Sequence, residues 1–416
     1  MTRAVGVPIQ GGKHDRRGER GLALVMTLFV VALVSVLVLE YHFDASVELD
    51  LAANYANDVQ AYHLALDGVR FAQALLQRDN AASDGPKDDW FKVRYLPLLL
   101  GTDCLAPQQM LDPALLSGLQ DAVASGLDVS ALLAERTEEQ SARDCVRLLI
   151  TDEGGKLPVN ALLPRGSAEN LQPDATWVRV FEAFFESFQI DHEVVDALVD
   201  WIDADDAPHG TGGAESSYYA QLPVPYKAKN SPMSTAGELR LVKGLHDPET
   251  LLKLFPGVAP EAIAGLDMGS NRYLTPFPYS GNEVSQAKVN VNTASEPVLQ
   301  ALFTGAVQDG SSGKAGAAIE AILKKRLEGE QYQNINEALQ GITGNALTAL
   351  RKIVDVKSSY FRVESEGRVG VVKKRLVAVV KRASASPLPP GQPPGQPPGQ
   401  PPGQLQQTSM VYFKVE

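Results

Sequence analysis

The sequence predicts an α+β protein with an N-terminal membrane helix, and three features of its 416 residues support that prediction. A long apolar run without charge lies close to the N-terminus. Segments with the alternating, β-branched pattern of strands lie between residues 145 and 160 and again after residue 356. Between them, apolar residues recur every three or four positions, which is the period of a helix. The chain therefore combines a membrane helix, strands and a substantial helical part.

The apolar run extends from Leu22 to Leu39 without a charged residue. A helix of this length covers roughly 27 Å, which nearly spans a bilayer. Residues 1–21 are basic, whereas the rest of the chain is acidic, so the positive-inside rule puts the N-terminus in the cytoplasm and the body outside. A cleaved signal peptide is the alternative, but the end of the run has no small-x-small site. We expect a single-pass anchor.

The same helix is predicted to continue beyond the membrane to about Leu76. Apolar residues from Ala61 onward keep a spacing of three and four, which indicates an amphipathic helix lying against a folded head. The expected segment is therefore 22–76, a membrane helix followed by a stalk.

Composition and charge limit the functional classes. The chain is 44% hydrophobic and 21% charged, which is ordinary for a protein with a packed core, and its net charge is −12. An acidic body does not suit a grip on phosphate backbones, which needs clustered Lys and Arg. We therefore expect no nucleic-acid partner. Acidic surfaces instead suit divalent cations or basic partners.

The two cysteines, Cys104 and Cys145, are too far apart for a CxxC metal or redox motif. If the body lies outside the cytoplasm, they can form one disulfide. Two unpaired buried thiols are the alternative.

The sharpest chemical cluster is an acidic, glycine-rich loop that follows the predicted helix ending near Ile202. Its candidate ligands are Asp203, Asp205, Asp206 and Glu215. Calcium takes six to eight oxygen ligands, which closely spaced Asp side chains and a later Glu can supply. Without a cation or solvent, these like charges would repel one another. A solvated acidic loop that binds nothing is the alternative, and the spacing does not fit the EF-hand.

The sequence gives no sign of catalysis. Its six histidines are scattered, and His209 is the one histidine near the acidic loop. A membrane-anchored, metal-dependent hydrolase would need a histidine or nucleophile converging on Asp203. We therefore expect a structural or assembly protein and no enzyme.

Arg20–Gly21 followed at once by the apolar helix resembles the processing site of type IV prepilins, which implies cleavage between Gly21 and Leu22. Met26 then occupies the fifth mature position, where most pilins and pseudopilins have glutamate. Together with the DE-x-GK-x-x-x-N pattern that begins at Asp152, the acidic loop and the Pro225–Asn230 segment, this order of motifs resembles the K class of minor pseudopilins of type II secretion (general secretion pathway protein K).

The resemblance implies a pilin-like α+β fold, in which an N-terminal transmembrane helix and an antiparallel sheet head carry a large inserted helical domain. It also implies calcium binding by that domain, an inner-membrane location with a periplasmic body, and a place at the tip of the pseudopilus. The implied partners are the I and J pseudopilins, the prepilin peptidase and the inner-membrane platform.

Six segments follow from these patterns. They are a leader (1–21), the membrane and stalk helix (22–76), the first part of the head (77–156), the inserted helical domain (157–285), a second small helical module (286–355) and C-terminal strands (356–416). A PPGQ-repeat loop at 387–405 interrupts the last segment. Such a tract favours polyproline II and cannot join a sheet, so it is a tolerated insertion or a ligand for a proline-recognition domain.

The second helical module resembles the SAM-like or helix-hairpin-helix modules of some DNA-uptake proteins. Phosphate binding by these modules needs a glycine-flanked hairpin, and the stretch 303–313 lacks a compact GxG. We interpret it as a structural copy. A type IV pilus minor pilin or DNA-uptake component is the alternative function.

Overall fold

The structure, a computed structural model, describes residues 16–79, 81–99, 104–106, 110, 144–167, 170–259, 262, 268–279, 281–307, 312–382 and 406–416. The first part of the predicted leader and the PPGQ loop at 387–405 lie outside these residues. The chain divides into two compact units, Met1–Gln60 and Ala61–Glu416.

One long helix, α1, runs from Arg16 to Arg78. In the first unit its apolar side chains from Leu22 to Leu39 are exposed on every side, as a lipid-facing helix requires. Within the described part of the chain, α1 is the one helix long and apolar enough to cross a membrane. The predicted membrane helix and stalk therefore form a single helix, whose end lies close to the predicted Leu76.

Eleven further helices lie in the described part of the second unit. They are α2 Asp89–Lys92, α3 Leu96–Leu99, α4 Ala175–Ser187, α5 Val194–Ile202, α6 Ser216–Tyr219, α7 Pro248–Lys253, α8 Gly281–Ser285, α9 Glu296–Ala306, α10 Ser312–Leu327, α11 Ile335–Ala338 and α12 Gly344–Ile353. Single 3-10 turns lie at Val93–Tyr95, Val159–Leu162, Ala236–Leu241 and Met268–Ser270.

The strands are β1 Asp144–Asp152, β2 Leu157–Pro158, β3 Arg165–Ser167, β4 Asn170–Gln172, β5 Leu274–Thr275, β6 Val289–Asn290, β7 Val354–Asp355, β8 Tyr360–Val369, β9 Val372–Arg382 and β10 Thr408–Val415. Four of them form an antiparallel sheet in the order β1-β8-β9-β10. The remaining strands form short two-stranded pairs. The predicted α+β class with an antiparallel sheet is confirmed.

The helical part of the chain leaves and re-enters the sheet between two neighbouring strands. β1 pairs with β8 directly, and Asp152 at the end of β1 lies opposite Phe361 near the start of β8. The residues between β1 and β8 therefore form an insertion in the connection between two adjacent antiparallel strands. This arrangement leaves the sheet continuous whatever the insertion contains.

The last part of α1 lies against the sheet at two glycines. A side chain at Gly367 of β8 would overlap the backbone of Ala61, and one at Gly68 would overlap Ser365 and Val146. Both glycines are needed because the helix and the sheet approach too closely for a Cβ atom. Apolar residues of the helix and the sheet form one core with Trp90, Val93 and Leu96.

The helical insertion has its own core. Side chains from the predicted inserted domain and from the predicted second module share one continuous apolar cluster, which extends from Leu157 to Val356. The aromatic face of α4 lies at its centre, with Phe181, Phe184 and Phe185 fully buried. Their spacing of three and four follows the period of the helix.

A buried polar network joins the insertion to the sheet at the end of β1. The Asp152 carboxylate accepts hydrogen bonds from Thr293 Oγ1 (2.5 Å), Ser358 Oγ (2.6 Å) and Asn290 Nδ2 (3.1 Å). Burial raises the pKa of Asp152, although these donors act in the opposite direction. Because three chain segments converge on one side chain, the network holds the two ends of the insertion together.

Candidate metal centre

The acidic loop is held in place by a carboxylate that is itself outside the predicted ligand set. Asp200, which is fully buried on α5, accepts hydrogen bonds from the backbone N–H of His209 (2.8 Å) and of Ala214 (2.5 Å). These two bonds fold the loop back against its own helix. As a result, Asp203 at one end of the loop and Glu215 at the other lie close together.

A glycine allows the loop backbone to fold back against α5. Gly210 has φ of +55°, in the left-handed region that side chains disfavour. Nearby, Asp196 of α5 accepts a hydrogen bond from the N–H of Gly212 at 3.0 Å. The glycines of the sequence pattern therefore serve the loop backbone, and the carboxylates are left to face one another.

Three of the four predicted ligands come together. Asp203, Asp205 and Glu215 each offer a carboxylate oxygen, and these oxygens lie within 4.8 Å of one another. Asp203 is 8% exposed and Glu215 is 2% exposed. Asp203 Oδ1 and both carboxylate oxygens of Glu215 are buried without a hydrogen bond from any described residue. Buried carboxylate oxygens without donors indicate a missing positive partner.

The pKa values of Asp203 and Glu215 also indicate a site for a cation. Burial, followed by the charges of Asp205 and Asp200, raises the pKa of Asp203 to about 7. Burial and the surrounding aspartates likewise raise the pKa of Glu215 to about 7. Ionisation of both carboxyl groups is therefore unfavourable in the absence of a cation.

Asp206, the fourth predicted ligand, lies beside the group. Its carboxylate accepts a hydrogen bond from Asn230 Nδ2 at 3.0 Å, and the same amide donates to the backbone carbonyl of Asp205 at 2.8 Å. Asn230 Oδ1 is buried and accepts no hydrogen bond from the described residues. Asn230 therefore holds the acidic loop through its Nδ2, next to the three carboxylates.

Sequence reasoning missed Asn230 as a site residue, although it noted the segment in which Asn230 lies. Its backbone φ of +47° is a conformation that asparagine tolerates better than most residues. Neither its type nor its spacing from Asp205 indicates that it folds back onto the loop. Its role becomes visible only in three dimensions.

The set of donors is hard and anionic. It comprises three converging carboxylates and an adjacent fourth, with no sulfur or imidazole at hydrogen-bond distance in the described residues. Calcium prefers oxygen ligands of this kind, in flexible geometry and with carbonyls or waters completing the shell. The residues fit calcium.

A second group of carboxylates is partly compensated by a side chain. Asp79, Asp84 and Asp88 also place oxygens within 4.8 Å of one another. The buried guanidinium of Arg382 lies among them and pairs with Asp79 at 2.8 Å and with Asp84. Arginine thus supplies a positive charge for two of the three carboxylates, whereas burial and the charges of Asp79 and Asp84 raise the pKa of Asp88 to about 7.

Cys104 and Cys145 are joined in a disulfide, with their Cα atoms 5.6 Å apart. Cys145 lies in β1, and Leu105 forms an isolated β-bridge with Val146. The disulfide thus fastens the segment around residue 105 to the outer edge of the sheet.

The predicted processing site, Gly21 and Leu22, lies within α1. Cleavage between these two residues stays a prediction.

Within the stretch 303–313, which was compared above with phosphate-binding hairpins, a glycine serves helix packing. Gly305, in the last turn of α9, lies so close to α4 that a side chain would overlap the backbone of Val180. Among the nearby basic residues, Lys325 lies 4.0 Å from the centre of the Tyr332 ring, and Arg326 donates to the carbonyl of Val291 at 2.8 Å. These residues stabilise the helical core. Part of the stretch, residues 308–311, lies outside the described residues.

Comparison with known proteins finds relatives over most of the chain. Residues 155–260, which contain the acidic loop, match the family model described as type II secretion system (T2SS), protein K. The type II secretion system protein K of Pseudomonas aeruginosa is 27% identical over 372 residues, which cover 88% of this chain and 90% of the relative. The protein of the same name from Dickeya chrysanthemi is 24% identical and covers 85% of this chain and 90% of the relative.

A solved structure is also similar. It is a chain of the GspK-GspI-GspJ complex from the type 2 secretion system of enterotoxigenic Escherichia coli, with a TM-score of 0.46 and 18% identity, covering 71% of this chain and 94% of that chain. The family match over the acidic loop and the near full-length alignments agree with the order of motifs in the sequence. Over most of its length the chain is similar to the type II secretion system K proteins, which are K-class minor pseudopilins.

Proposed function

We propose that the chain stands at the tip of the periplasmic pseudopilus of a type II secretion system, where it initiates pseudopilus assembly and contributes to the export of folded proteins. The family is a structural component of that system. The observation that carries the proposal is the helical insertion between β1 and β8, which adds a second core to the head.

The membrane anchor supports the same placement. Prepilin peptidase cleaves between Gly21 and Leu22, and the inner-membrane platform receives the processed helix. The apolar surface of α1 holds the chain in the inner membrane, with its body in the periplasm. The test is intact-mass measurement of membrane-extracted protein, for which Leu22 is the expected first residue. A first residue beyond Leu39 contradicts processing.

Met26 favours the tip because of membrane energetics. A carboxylate within hydrocarbon needs a partner, such as the N-terminal amine of a neighbouring subunit. Met26 makes no such demand, so this subunit needs no neighbour on that side. Met26→Leu is expected to leave assembly unchanged, and Met26→Glu is expected to be neutral or harmful.

The proposed direct partners are the I and J pseudopilins, which contact the helical insertion. The sheet geometry allows a precise test, because Glu153 N–H donates to the Tyr360 carbonyl at 3.0 Å across the base of the insertion. A short Gly-Ser link can therefore replace residues 154–358 and join β1 to β8 as a hairpin. Co-purification of the detergent-solubilised chain with tagged I and J pseudopilins is expected to be lost.

The deletion variant needs its own folding control. It retains α1, the four-stranded sheet and their separate core, so circular dichroism and a cooperative melting transition report whether the head has folded. If a folded variant binds the I and J pseudopilins as well as the intact chain does, the insertion has no part in the tip complex.

Calcium is the proposed cofactor of the insertion. Asp203, Asp205 and Glu215 would hold it, with Asp206 and Asn230 adjacent. Bound calcium supplies positive charge that allows these buried carboxylates to ionise. It thereby fixes the loop between α5 and α6, which is a structural role.

A further inference from the structure

A cleft of about 780 Å³ lies between the insertion and the sheet, remote in sequence from the acidic loop. Its volume is within the range of pockets that bind ligands. We call it the cationic cleft, because seven Lys or Arg line it against four Asp or Glu, a net of +3 in a chain whose total is −12. Cationic residues are concentrated here against the overall charge of the protein.

Two of these cations, Lys352 and Lys357, have no carboxylate partner in the described residues, and Arg165 lies near Asp174 without a direct ion pair. Lys352, at the end of α12, makes no hydrogen bond or ion pair with any of them. Lys357 donates to the Ala81 carbonyl at 3.0 Å, and Arg165 donates to the Val284 carbonyl at 2.8 Å. A carbonyl satisfies a hydrogen-bond donor but leaves its charge uncompensated. Burial lowers the pKa of Arg165, and the charge of Asp174 acts in the opposite direction.

The other cations of the cleft are paired. Lys156 binds Glu153 at 2.6 Å, Lys288 binds Asp355 at 3.3 Å, Lys381 binds Glu283, and Arg382 binds Asp79 and Asp84. The cations of the cleft without a direct ion pair are therefore Arg165, Lys352 and Lys357, and Asp174 lies near the first of them.

The lining is also partly apolar. Trp177 and Phe277 are buried to 3% and 7% exposure, and the Tyr360 ring stacks on Phe277 with centroids 5.3 Å apart. Tyr360 donates its hydroxyl proton to Glu283 at 2.5 Å, which leaves the ring itself as lining. An apolar surface with a few convergent charges is typical of a specific binding site.

We propose that the cationic cleft binds an acidic segment of another polypeptide, with carboxylates on Lys352, Lys357 and Arg165 and apolar side chains against the half-buried Pro278 and Tyr360. The four carboxylates and the apolar part of the lining favour this ligand over nucleic acid, because flexible acidic side chains can be placed away from the carboxylates whereas phosphates of a nucleic acid have a fixed spacing. A polypeptide offers carboxylates together with N–H donors, which suits a lining of mixed charge. The proposal does not depend on the tip placement of the subunit.

The test uses the full chain in detergent and a fluorescein-labelled hexaglutamate peptide as the probe. At about 0.1 M salt the Debye length is about 10 Å, so the distant negative charges of the protein are screened while the cleft cations act at contact. Fluorescence anisotropy is expected to show saturable binding. The double variant Lys352→Glu/Lys357→Glu is expected to bind about tenfold more weakly or worse.

The matched control is Lys314→Glu/Lys324→Glu, which makes the same charge change at two exposed lysines of α10, outside the cleft. It is expected to alter the affinity by less than about twofold. Melting temperatures of both variants close to that of the parent chain show that the fold is intact.

Four outcomes overturn the proposal. They are an absence of saturable binding by the parent chain, an equal loss in the control variant, equal binding of a hexalysine peptide, and oligothymidylate binding at least as tight as that of hexaglutamate. The last would identify a general polyanion site.

Discussion

The competition between calcium and protons at the acidic loop gives the sharpest test of the metal centre. Asp203 and Glu215 have pKa values of about 7, raised by burial and by neighbouring aspartates. A cation must displace any proton that these carboxylates hold. Changing the pH therefore changes the apparent calcium affinity in a range where ordinary carboxylates are fully ionised.

The size of the effect follows from the two pKa values. A group of pKa about 7 is roughly nine-tenths protonated at about pH 6 and roughly one-tenth protonated at about pH 8. Each such ligand weakens apparent binding by about tenfold between these two pH values, so the pair weakens it by at most about 100-fold. Isothermal titration of the detergent-solubilised chain with calcium at both pH values measures the ratio.

The metal-free protein must show the opposite trend in stability. Because both folded pKa values are raised, the native state holds more protons than the unfolded state between about pH 4 and about pH 7. The contribution of these groups to stability is therefore present at low pH and is lost as the pH rises through about 7. Calcium is expected to shift the melting temperature more at about pH 8 than at about pH 6. An affinity that is equal at both pH values would refute the assignment of these two residues.

Three substitutions extend the test to other parts of the molecule. Asp203→Asn removes a strained charge without changing shape, so it is expected to raise the metal-free melting temperature and to abolish most of the calcium-dependent shift. Asn160→Ala is expected to destabilise the fold by about 2–4 kcal/mol in denaturant unfolding, because it leaves the Met233 N–H and three carbonyls buried without partners. Loss of the Cys104–Cys145 disulfide, which closes a separation of 41 residues, is expected to cost about 4 kcal/mol by the chain-entropy account.

Each of these has a control. Asp191→Asn, an exposed acid outside the loop, is expected to leave both melting curves unchanged. Asn334→Ala removes a helix N-cap on α11 and is expected to cost only about 1 kcal/mol. For the disulfide, the double serine variant and the reduced parent chain should unfold alike. Similar stability for Asn160→Ala and Asn334→Ala would contradict the argument from the buried hydrogen bonds of Asn160. Oxidised and reduced chains that unfold at the same denaturant concentration would contradict the argument from the disulfide.

The local pattern of apolar residues was enough to predict the main helices and strands. The lipid-facing half of α1 was predictable because a membrane helix must be apolar on all sides, which leaves a continuous run in the sequence. The strands β8, β9 and β10 were predictable because alternation has a period of two whatever the partner strand. The α4 core face was predictable for the equivalent reason in a helix.

Residue type was also enough to locate the acidic loop, since Asp203, Asp205 and Glu215 belong to a short glycine-rich segment. The neighbours of the loop could not be predicted in the same way. Asn230 reaches it from a separate segment, and Asp200 holds it closed from inside α5. Their types occur throughout the chain, and no spacing distinguishes them.

The sequence by itself therefore determined the membrane helix, the α+β class, the main strands and helices, and the residues of an acidic loop. Tertiary structure decided the pairing of β1 with β8 across the whole insertion, the use of Arg382 as the counter-ion of Asp79 and Asp84, and the lining of the cationic cleft. The physical reason is one of range. Periodicity records whether a side chain faces the core or solvent, which is settled within one element, whereas pairing of distant charges and strands depends on how all the elements pack together.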